Sequence, residues 1–172
     1  MIKVALRLPW ISLGASAALG LALLLTKPPV TPLLLASLGG STIFLFGLTG
    51  AAAAQPRALF GGHLISALVG IAAFQCLGDA LWLYVLAEIT AICILLITRT
   101  VHPPAGANPI IMIQSQENFI RLFQIVLIGV GTLALVACVL SWLTPGKVLR
   151  YPVKWNAPSP DLTNWSLWQN SN

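Results

Sequence analysis

The chain has 172 residues, of which 58% are hydrophobic and 8% are charged, and its formal net charge is +5. About a quarter of the residues are charged in an ordinary soluble domain, so this composition, with a mean hydropathy of +0.90, excludes a water-soluble enzyme. The basic residues lie at the ends of long apolar runs, which indicates membrane topology and contact with lipid, not nucleic acid. We therefore expect an integral, multi-pass membrane protein.

The first two apolar segments lie on either side of a proline-rich break. Trp10 to Thr26 is expected to form a membrane helix, and a cleaved signal peptide ending at Ala15-Ser16-Ala17 is the alternative. Because the apolar run continues to Thr26, a retained helix is favoured. Residues 27–32 contain three prolines and break the helix. Segment 33–54 is interrupted by Gly39-Gly40-Ser41-Thr42, which predicts a broken or tightly packed span.

Two further spans are expected in the middle of the chain. Leu59 to Leu77 is the third apolar segment and Leu81 to Thr98 is the fourth. Gly62, Ser66 and Gly70 recur at four-residue spacing in the third segment, which gives the helix a smooth face for close approach of a neighbour. Helix packing is the favoured interpretation of this face.

The chain then has a short apolar segment, a last full span and a tail. Val101 to Ile113 is only about 20 Å long as a helix, so we expect it to be broken or re-entrant. Leu122 to Leu143 is the last full span, which gives an all-α bundle of five full spans and one short segment. Residues 1–143 are expected to form the transmembrane domain, and residues 144–172 an aromatic and basic tail at the membrane interface or in the cytoplasm.

The distribution of basic residues favours a crossing by the short segment. If residues 101–118 cross, seven of the nine Lys and Arg residues lie on the cytoplasmic side and two on the other. If the segment dips and returns, the division is five to four. The positive-inside rule therefore favours six passages.

Six passages would divide the chain into two similar triplets, each with a span, an interrupted segment and a span. Gly39-Gly40-Ser41-Thr42 in the first triplet corresponds to Ala105-Gly106-Ala107-Asn108 in the second. Three passages per unit would give the two halves inverted topology, an arrangement common in transporters. Chance similarity between glycine-rich segments is the alternative.

The stretch from Arg99 to Pro109 is the most unusual of the sequence, because consecutive prolines leave backbone carbonyls that no helix satisfies. Such backbone survives within a membrane only when it is buried in protein or lines water. Asn108 and Pro109 are typical of an N-cap and a first helical residue. We therefore expect a half-helix with free N–H groups, which would attract an anion.

Two blocks of residues resemble a known family. Gln55-Pro56-Arg57 followed by Gly61-Gly62-His63-Leu64-Ile65-Ser66, and later His102-Pro103-Pro104-Ala105-Gly106-Ala107, are similar to the signature blocks of the HPP family of integral membrane proteins. The resemblance covers roughly residues 29–143. Family members are usually described with about four membrane helices, and some plant relatives are implicated in nitrite transport. The resemblance thus implies a transporter with nitrite as the first substrate to test. Asn108-Pro109 departs from the small residues more usual in the family.

The candidate site residues are small, polar or basic residues of the interrupted segments and their neighbours. Those expected to bind the anion are Gly40, Ser41, Thr42, Arg57, His63, Arg99, His102, Gly106 and Asn108. Topology marking by the arginines and structural hydrogen bonding by the histidines are the alternatives. Glu88 lies in the middle of the fourth segment, where an ionised carboxylate facing lipid would cost at least about 2.5 kcal/mol. We expect Glu88 to carry the proton in anion/proton symport, or else to be a structurally bonded acid.

The function expected from the sequence is transport of a small inorganic anion, with the site between residues 39–42 and 102–109. The alternative is a membrane scaffold that transports nothing. No sequence motif of an intramembrane hydrolase or metalloprotease is present, so we expect neither enzymatic activity nor a cofactor or metal. The expected partners are the anion, membrane lipid and, through the glycine-rich faces, further copies of the chain.

Overall fold

A computed structural model describes residues 2–26, 36–144 and 150–160 of the chain. All the regular structure in these ranges is helical, as the composition predicted. The proline-rich break at residues 27–32 and the tail residues Lys147, Trp165 and Trp168 lie outside the described residues.

Seven α-helices follow one another along the described chain. They are α1 (Ile2–Thr26), α2 (Ala36–Thr42), α3 (Pro56–Leu77), α4 (Leu81–Thr98), α5 (Asn108–Gln114), α6 (Phe119–Leu122) and α7 (Gly131–Leu143). The π-helical turn Ile43–Gly47 extends α2, and the π-helical stretch Phe123–Val130 joins α6 to α7 into one final helix. Short 3-10 helices occur at Ala52–Ala54 and Pro103–Ala107.

Four of the described helices are long and apolar enough to cross a membrane. They are Arg7–Thr26 within α1, Pro56–Leu77, Leu81–Thr98 and Phe119–Leu143. The expected count of five full spans is not confirmed, because the second segment contains only the shorter apolar helix Ala36–Gly47. That helix is about 18 Å long at 1.5 Å per residue, and it ends where the Leu48 N–H bonds back to the carbonyls of Ile43 and Phe44.

Local sequence explains the limits of α3. Pro56 occupies its first turn, where the missing N–H costs no helical hydrogen bond. The helix ends at Gly78, whose φ of 82° is a backbone conformation that glycine adopts without a Cβ clash. The turn through Gly78 then returns the chain into α4.

The contacts between helices fix their directions. The end of the bundle where α3 begins and α4 ends carries Arg57 and Arg99, and we call it the arginine end. The final helix also ends there, since Ser141 Oγ accepts a hydrogen bond from the Tyr151 N–H. A Cβ built at Gly14 of α1 would contact Leu140, whereas Thr26 lies near Gly129. Helix α1 is therefore antiparallel to the final helix and starts at the arginine end.

Residues 100–113 run along the glycine-bearing face of α3. A Cβ built on Gly62 would lie 2.8 Å from the Cβ of His102, and one built on Gly70 would lie 2.7 Å from the Cα of Pro109. Farther along, Ile113 packs with Leu83 and the side chains around it. The chain therefore passes from the arginine end of the bundle to the opposite end over this segment. The four-residue spacing of Gly62, Ser66 and Gly70 does mark a packing face.

Residues 150–160 fold against the arginine end, and we call them the strap. The side-chain carbonyl of Gln55 accepts hydrogen bonds from the N–H groups of Val153 and Lys154, at 2.9 and 3.0 Å. Ser159 is fully buried and exchanges hydrogen bonds with the backbone of Arg99 and Val101. The described part of the tail is thus packed on the helix ends.

The close contact between α3 and Pro109 predicts the effect of a single methyl group. We expect Gly70→Ala to destabilise the protein by about 1–3 kcal/mol, because the new Cβ would meet backbone atoms that cannot move aside. The matched control is Gly131→Ala in the final helix, where a Cβ meets nothing within 4 Å and should stabilise by about 0.5–1 kcal/mol. Thermal unfolding of both variants in detergent checks the difference, and equal stability of the two would contradict this packing.

Candidate functional site

Four polar side chains from distant parts of the sequence meet in the interior of the bundle. Ser41 Oγ lies 2.9 Å from His63 Nε2 and 2.8 Å from His102 Nε2. Asn108 Nδ2 lies 3.0 Å from His63 Nδ1, and His102 Nδ1 lies 2.6 Å from the carbonyl oxygen of Ala53. We call Ser41, His63, His102 and Asn108 the core network. It joins α2, α3 and the segment that contains the His-Pro-Pro triplet.

The hydrogen-bond partners fix the ring protons of both histidines when the rings are neutral. Because a carbonyl only accepts, His102 carries its proton on Nδ1 and its Nε2 accepts from the Ser41 hydroxyl. Ser41 Oγ in turn accepts from His63 Nε2–H, and His63 Nδ1 accepts from the Asn108 amide. Every ring nitrogen of the core network then has a partner.

The core network is sealed from solvent. Ser41, His63 and His102 are 0% exposed and Asn108 is 1% exposed. A buried charge without a counter-charge is costly, and neither ring bonds to a carboxylate among the described residues, which favours the neutral form of both histidines.

A cleft of about 210 Å³ lies beside the core network, between α4 and the 3-10 turn that follows the His-Pro-Pro triplet. Its wall is mostly apolar and includes Ile92, Leu95 and Pro103. His102 is the member of the core network that also lines the cleft. The cleft therefore borders the core network at His102, whose side chain is itself 0% exposed.

Glu88 brings a carboxyl group into the same cleft. Its Oε1 would lie 3.5 Å from a Cβ built at Gly106. Its Oε2 is buried and has no hydrogen-bond partner among the described residues. A buried polar atom without a partner is uncommon and is compensated by a proton, a water or a ligand. Glu88 thus lines the cleft with one carboxyl oxygen that bonds to no described residue.

The structure separates the two predicted arginines from the core network. The guanidinium of Arg57 donates to Asn156 Oδ1 and to the carbonyl of Thr98, each at 2.9 Å. Arg99 Nε donates to the carbonyl of Ser159 at 2.7 Å. Arg57 therefore binds the strap and the end of α4, Arg99 binds the strap, and neither arginine bonds to the histidines.

The two interrupted segments meet, but the contact between them is filled. A Cβ at Gly40 would lie 3.0 Å from the Cβ of Pro104, so these backbones pack directly. The Thr42 hydroxyl donates to the carbonyl of Gly39 within its own helix. The cleft therefore lies on the α4 side of the His-Pro-Pro segment, next to Gly106, and not between the two segments.

A short helix does begin at Asn108, as predicted, but Asn108 does not cap it and its first turn follows another helical turn. The 3-10 turn Pro103–Ala107 continues directly into α5, and Asn108 has a helical backbone with φ of −63°. Its side chain bonds to His63 instead of capping the helix. The turn begins with two prolines that lack N–H groups, and the Ala105 N–H bonds to the His102 carbonyl, so the first three residues of the turn offer an anion no free N–H.

Sequence reasoning missed two partners that hold the site. One is the Ala53 carbonyl, which fixes the ring of His102. The other is Ser159, whose hydroxyl accepts a hydrogen bond from the Val101 N–H one residue before His102. A backbone carbonyl leaves no mark in a sequence, and Ser159 is one of several serines in a polar tail.

Because Ser41 Oγ bonds to both histidine rings, we expect a large loss of stability when its hydroxyl is removed. We expect Ser41→Ala to destabilise the protein by about 1–3 kcal/mol for each of the two ring nitrogens that lose their partner. The matched control is Ser66→Ala, since the Ser66 hydroxyl is buried and bonds to no described residue, so its removal should be neutral or stabilising. Chemical denaturation in detergent measures both, and a stable Ser41→Ala variant would contradict the network.

Comparison with known proteins places the chain in a family. The sequence model of the HPP transmembrane region matches residues 3–152. Two transmembrane proteins of Dictyostelium discoideum are similar: one is 32% identical over 136 residues, which is 73% of this chain and 42% of the relative. The other is 28% identical over 128 residues, which is 71% of this chain and 45% of the relative.

The chain thus matches less than half of the length of each of these relatives. No solved structure matches it at a significant level. The family match covers most of the chain and includes both interrupted segments, the core network and all the residues that line the cleft. The chain belongs to the HPP family of integral membrane proteins.

Proposed function

We propose that this protein transports a small inorganic anion together with a proton, with nitrite as the first substrate to test, and that the solute binds in the cleft. The observation that carries the proposal is that two ionisable side chains, Glu88 and His102, line the same cleft within an apolar bundle. Ionisable side chains at membrane depth are costly and mark ion or proton pathways by default.

The arrangement of the helices supports a transporter. We propose that residues up to Leu77 and residues from Leu81 onwards are inverted repeats. Helix α1, the segment of α2, and α3 alternate in direction, and α4, the segment of α5, and the final helix alternate in the opposite sense. The short helices of the two halves meet where Gly40 packs on Pro104. Transporters with inverted repeats bind their substrates near such interrupted helices.

The same directions suggest an orientation in the membrane. Among the described residues Arg7, Arg57, Arg99, Arg150 and Lys154 lie at the arginine end, and Arg121 lies towards the other end. By the positive-inside rule the arginine end faces the cytoplasm. The cleft lies between α4 and the segment that descends from this end.

The chemistry of the cleft couples an anion to a proton. An ionised Glu88 would repel an anion in a space of low dielectric constant, where like charges interact strongly. A protonated Glu88 removes this repulsion and donates its O–H to the anion. Binding of the anion therefore requires a proton on the carboxyl, and release of both restores the empty cleft.

This coupling predicts the behaviour of a glutamine variant. In proteoliposomes that contain the full chain, an inward proton gradient should accelerate nitrite uptake several-fold over protein-free vesicles. Glu88→Gln should abolish the response to the gradient, because the amide is permanently uncharged. The matched control is Glu117→Gln, which replaces a carboxylate outside the cleft that pairs with Arg121 at 3.8 Å, and it should respond like the wild type.

Either of two results would reject the proposal. One is protein-dependent nitrite uptake that responds to the gradient equally in wild type and Glu88→Gln, which would remove Glu88 from the coupling. The other is the absence of protein-dependent flux of nitrite, nitrate, formate and chloride. That second result would favour a membrane scaffold.

One observation favours the scaffold as the second candidate. The core network is almost completely buried, and all its ring nitrogens are satisfied within the protein. Such a network can serve to fix the packing of three segments without binding any solute. A scaffold of this kind would lose stability in Ser41→Ala and show no anion flux.

A further inference from the structure

The hydroxyl group of Ser41 has two acceptors within reach but only one proton to donate. His102 Nε2 lies 2.8 Å from Ser41 Oγ, and the carbonyl oxygen of Ser37, one turn earlier in α2, lies 2.9 Å from it. In the neutral network the hydroxyl donates to His102, because that ring nitrogen has no other donor. The Ser37 carbonyl is then an unused acceptor for this hydroxyl.

A proton added to His102 is accommodated by turning this hydroxyl. Protonated His102 Nε2–H donates to Ser41 Oγ, and the Ser41 O–H turns to the Ser37 carbonyl. His63 Nε2–H keeps donating to Ser41 Oγ, which has two lone pairs. The hydrogen bonds from His102 Nδ1 to Ala53 and from Asn108 to His63 are unchanged. One rotation therefore gives a second network in which every donor and acceptor is again satisfied.

The groups around His102 determine the conditions under which its ring takes up a proton. The titratable groups that face it are His63 of α3, with ring centroids 5.1 Å apart, and Glu88 of α4 across the cleft. The described residues of α2 and of the turn before α3 contribute no titratable group. A buried imidazolium is costly unless a negative charge lies close to it, so acid or a nearby anion is needed to favour the charged ring. An anion in the cleft supplies such a charge.

We propose that Ser41 is a two-position hydrogen-bond switch that makes His102 a proton-binding site, and that protonated His102 puts a positive charge on the wall of the cleft that favours an anion there. The first part depends on the network alone. The second part rests on the proposed function. In it, His102 senses acid, whereas Glu88 carries the proton that is transported with the anion. Ser41 acts through His102 and is a positioning residue.

Nitrogen NMR of the full chain in detergent tests the switch without transport. The sequence contains two histidines, so ¹⁵N-histidine labelling reports only His63 and His102. At neutral pH we expect one ring protonated at Nδ1 and the other at Nε2, and acidification should protonate both nitrogens of the Nδ1-type ring. In Ser41→Ala this protonation should move at least about one pH unit lower, a tenfold loss of proton affinity. Ser41→Thr keeps a hydroxyl and should restore it.

The control for a general loss of structure is Ser66→Ala, which should titrate like the wild type. Two rings of the same tautomer at neutral pH would overturn the switch. So would a titration that is the same in wild type and Ser41→Ala.

Nitrite exchange is measured at equal pH on both sides of the vesicle membrane. Because no proton gradient is present, this assay tests the role of protonated His102 separately from proton-driven uptake. From pH 7 to pH 5 we expect exchange to rise several-fold in wild type and Ser66→Ala, and to rise less in Ser41→Ala, where only the protonation of Glu88 contributes. A rise in Ser41→Ala equal to that of wild type would overturn the link to the cleft. If no variant moves nitrite, the proposed function and the sensor both fail, whereas the NMR result still decides whether the switch exists.

Discussion

Non-helical backbone inside an apolar bundle must find all its partners in the protein, and this constraint governs the structure. Pro103 and Pro104 prevent a regular helix from continuing out of α4, yet the chain passes from one end of the bundle to the other along this segment. The smooth face of α3 lets the irregular backbone lie close enough to exclude lipid. The 3-10 turn, Ser159 and the core network then satisfy its polar groups.

The core network follows from this arrangement. The triplet carries His102 to the face of α3 that bears His63, and the interruption of the second segment brings Ser41 between the two rings. Three segments are thus joined by hydrogen bonds in a region where hydrophobic contact discriminates poorly between alternative packings, because lipid and protein are equally apolar. The network therefore specifies one register of α2 against α3 and the His-Pro-Pro segment. The cleft lies at the edge of this ordered region.

The features that could be predicted from the sequence are those that depend on local spacing. The apolar runs predicted the long helices, and the spacing of Gly62 and Gly70 predicted the close-packed face of α3. The HPP resemblance, which the family match confirms, directed attention to His63 and His102. Partners far apart in the sequence could not be predicted, because no local pattern records them. The guanidinium of Arg57 suggested an anion site, but it donates to Asn156, 99 residues later, and to the carbonyl of Thr98. Asn108 was predicted to cap a helix, but the turn before it is also helical, so Asn108 lies within continuous helical backbone.

The strap, which is the last described part of the chain, is bonded to Val101, the residue before the buried His102. Ser159 holds the backbone of Val101, and Val101 is followed directly by His102. Ser159 also accepts and donates hydrogen bonds at Arg99, the residue that caps the end of α4. The position of the His102 backbone is therefore set from outside the bundle by a buried serine of the strap, as well as from within it by the packing on α3.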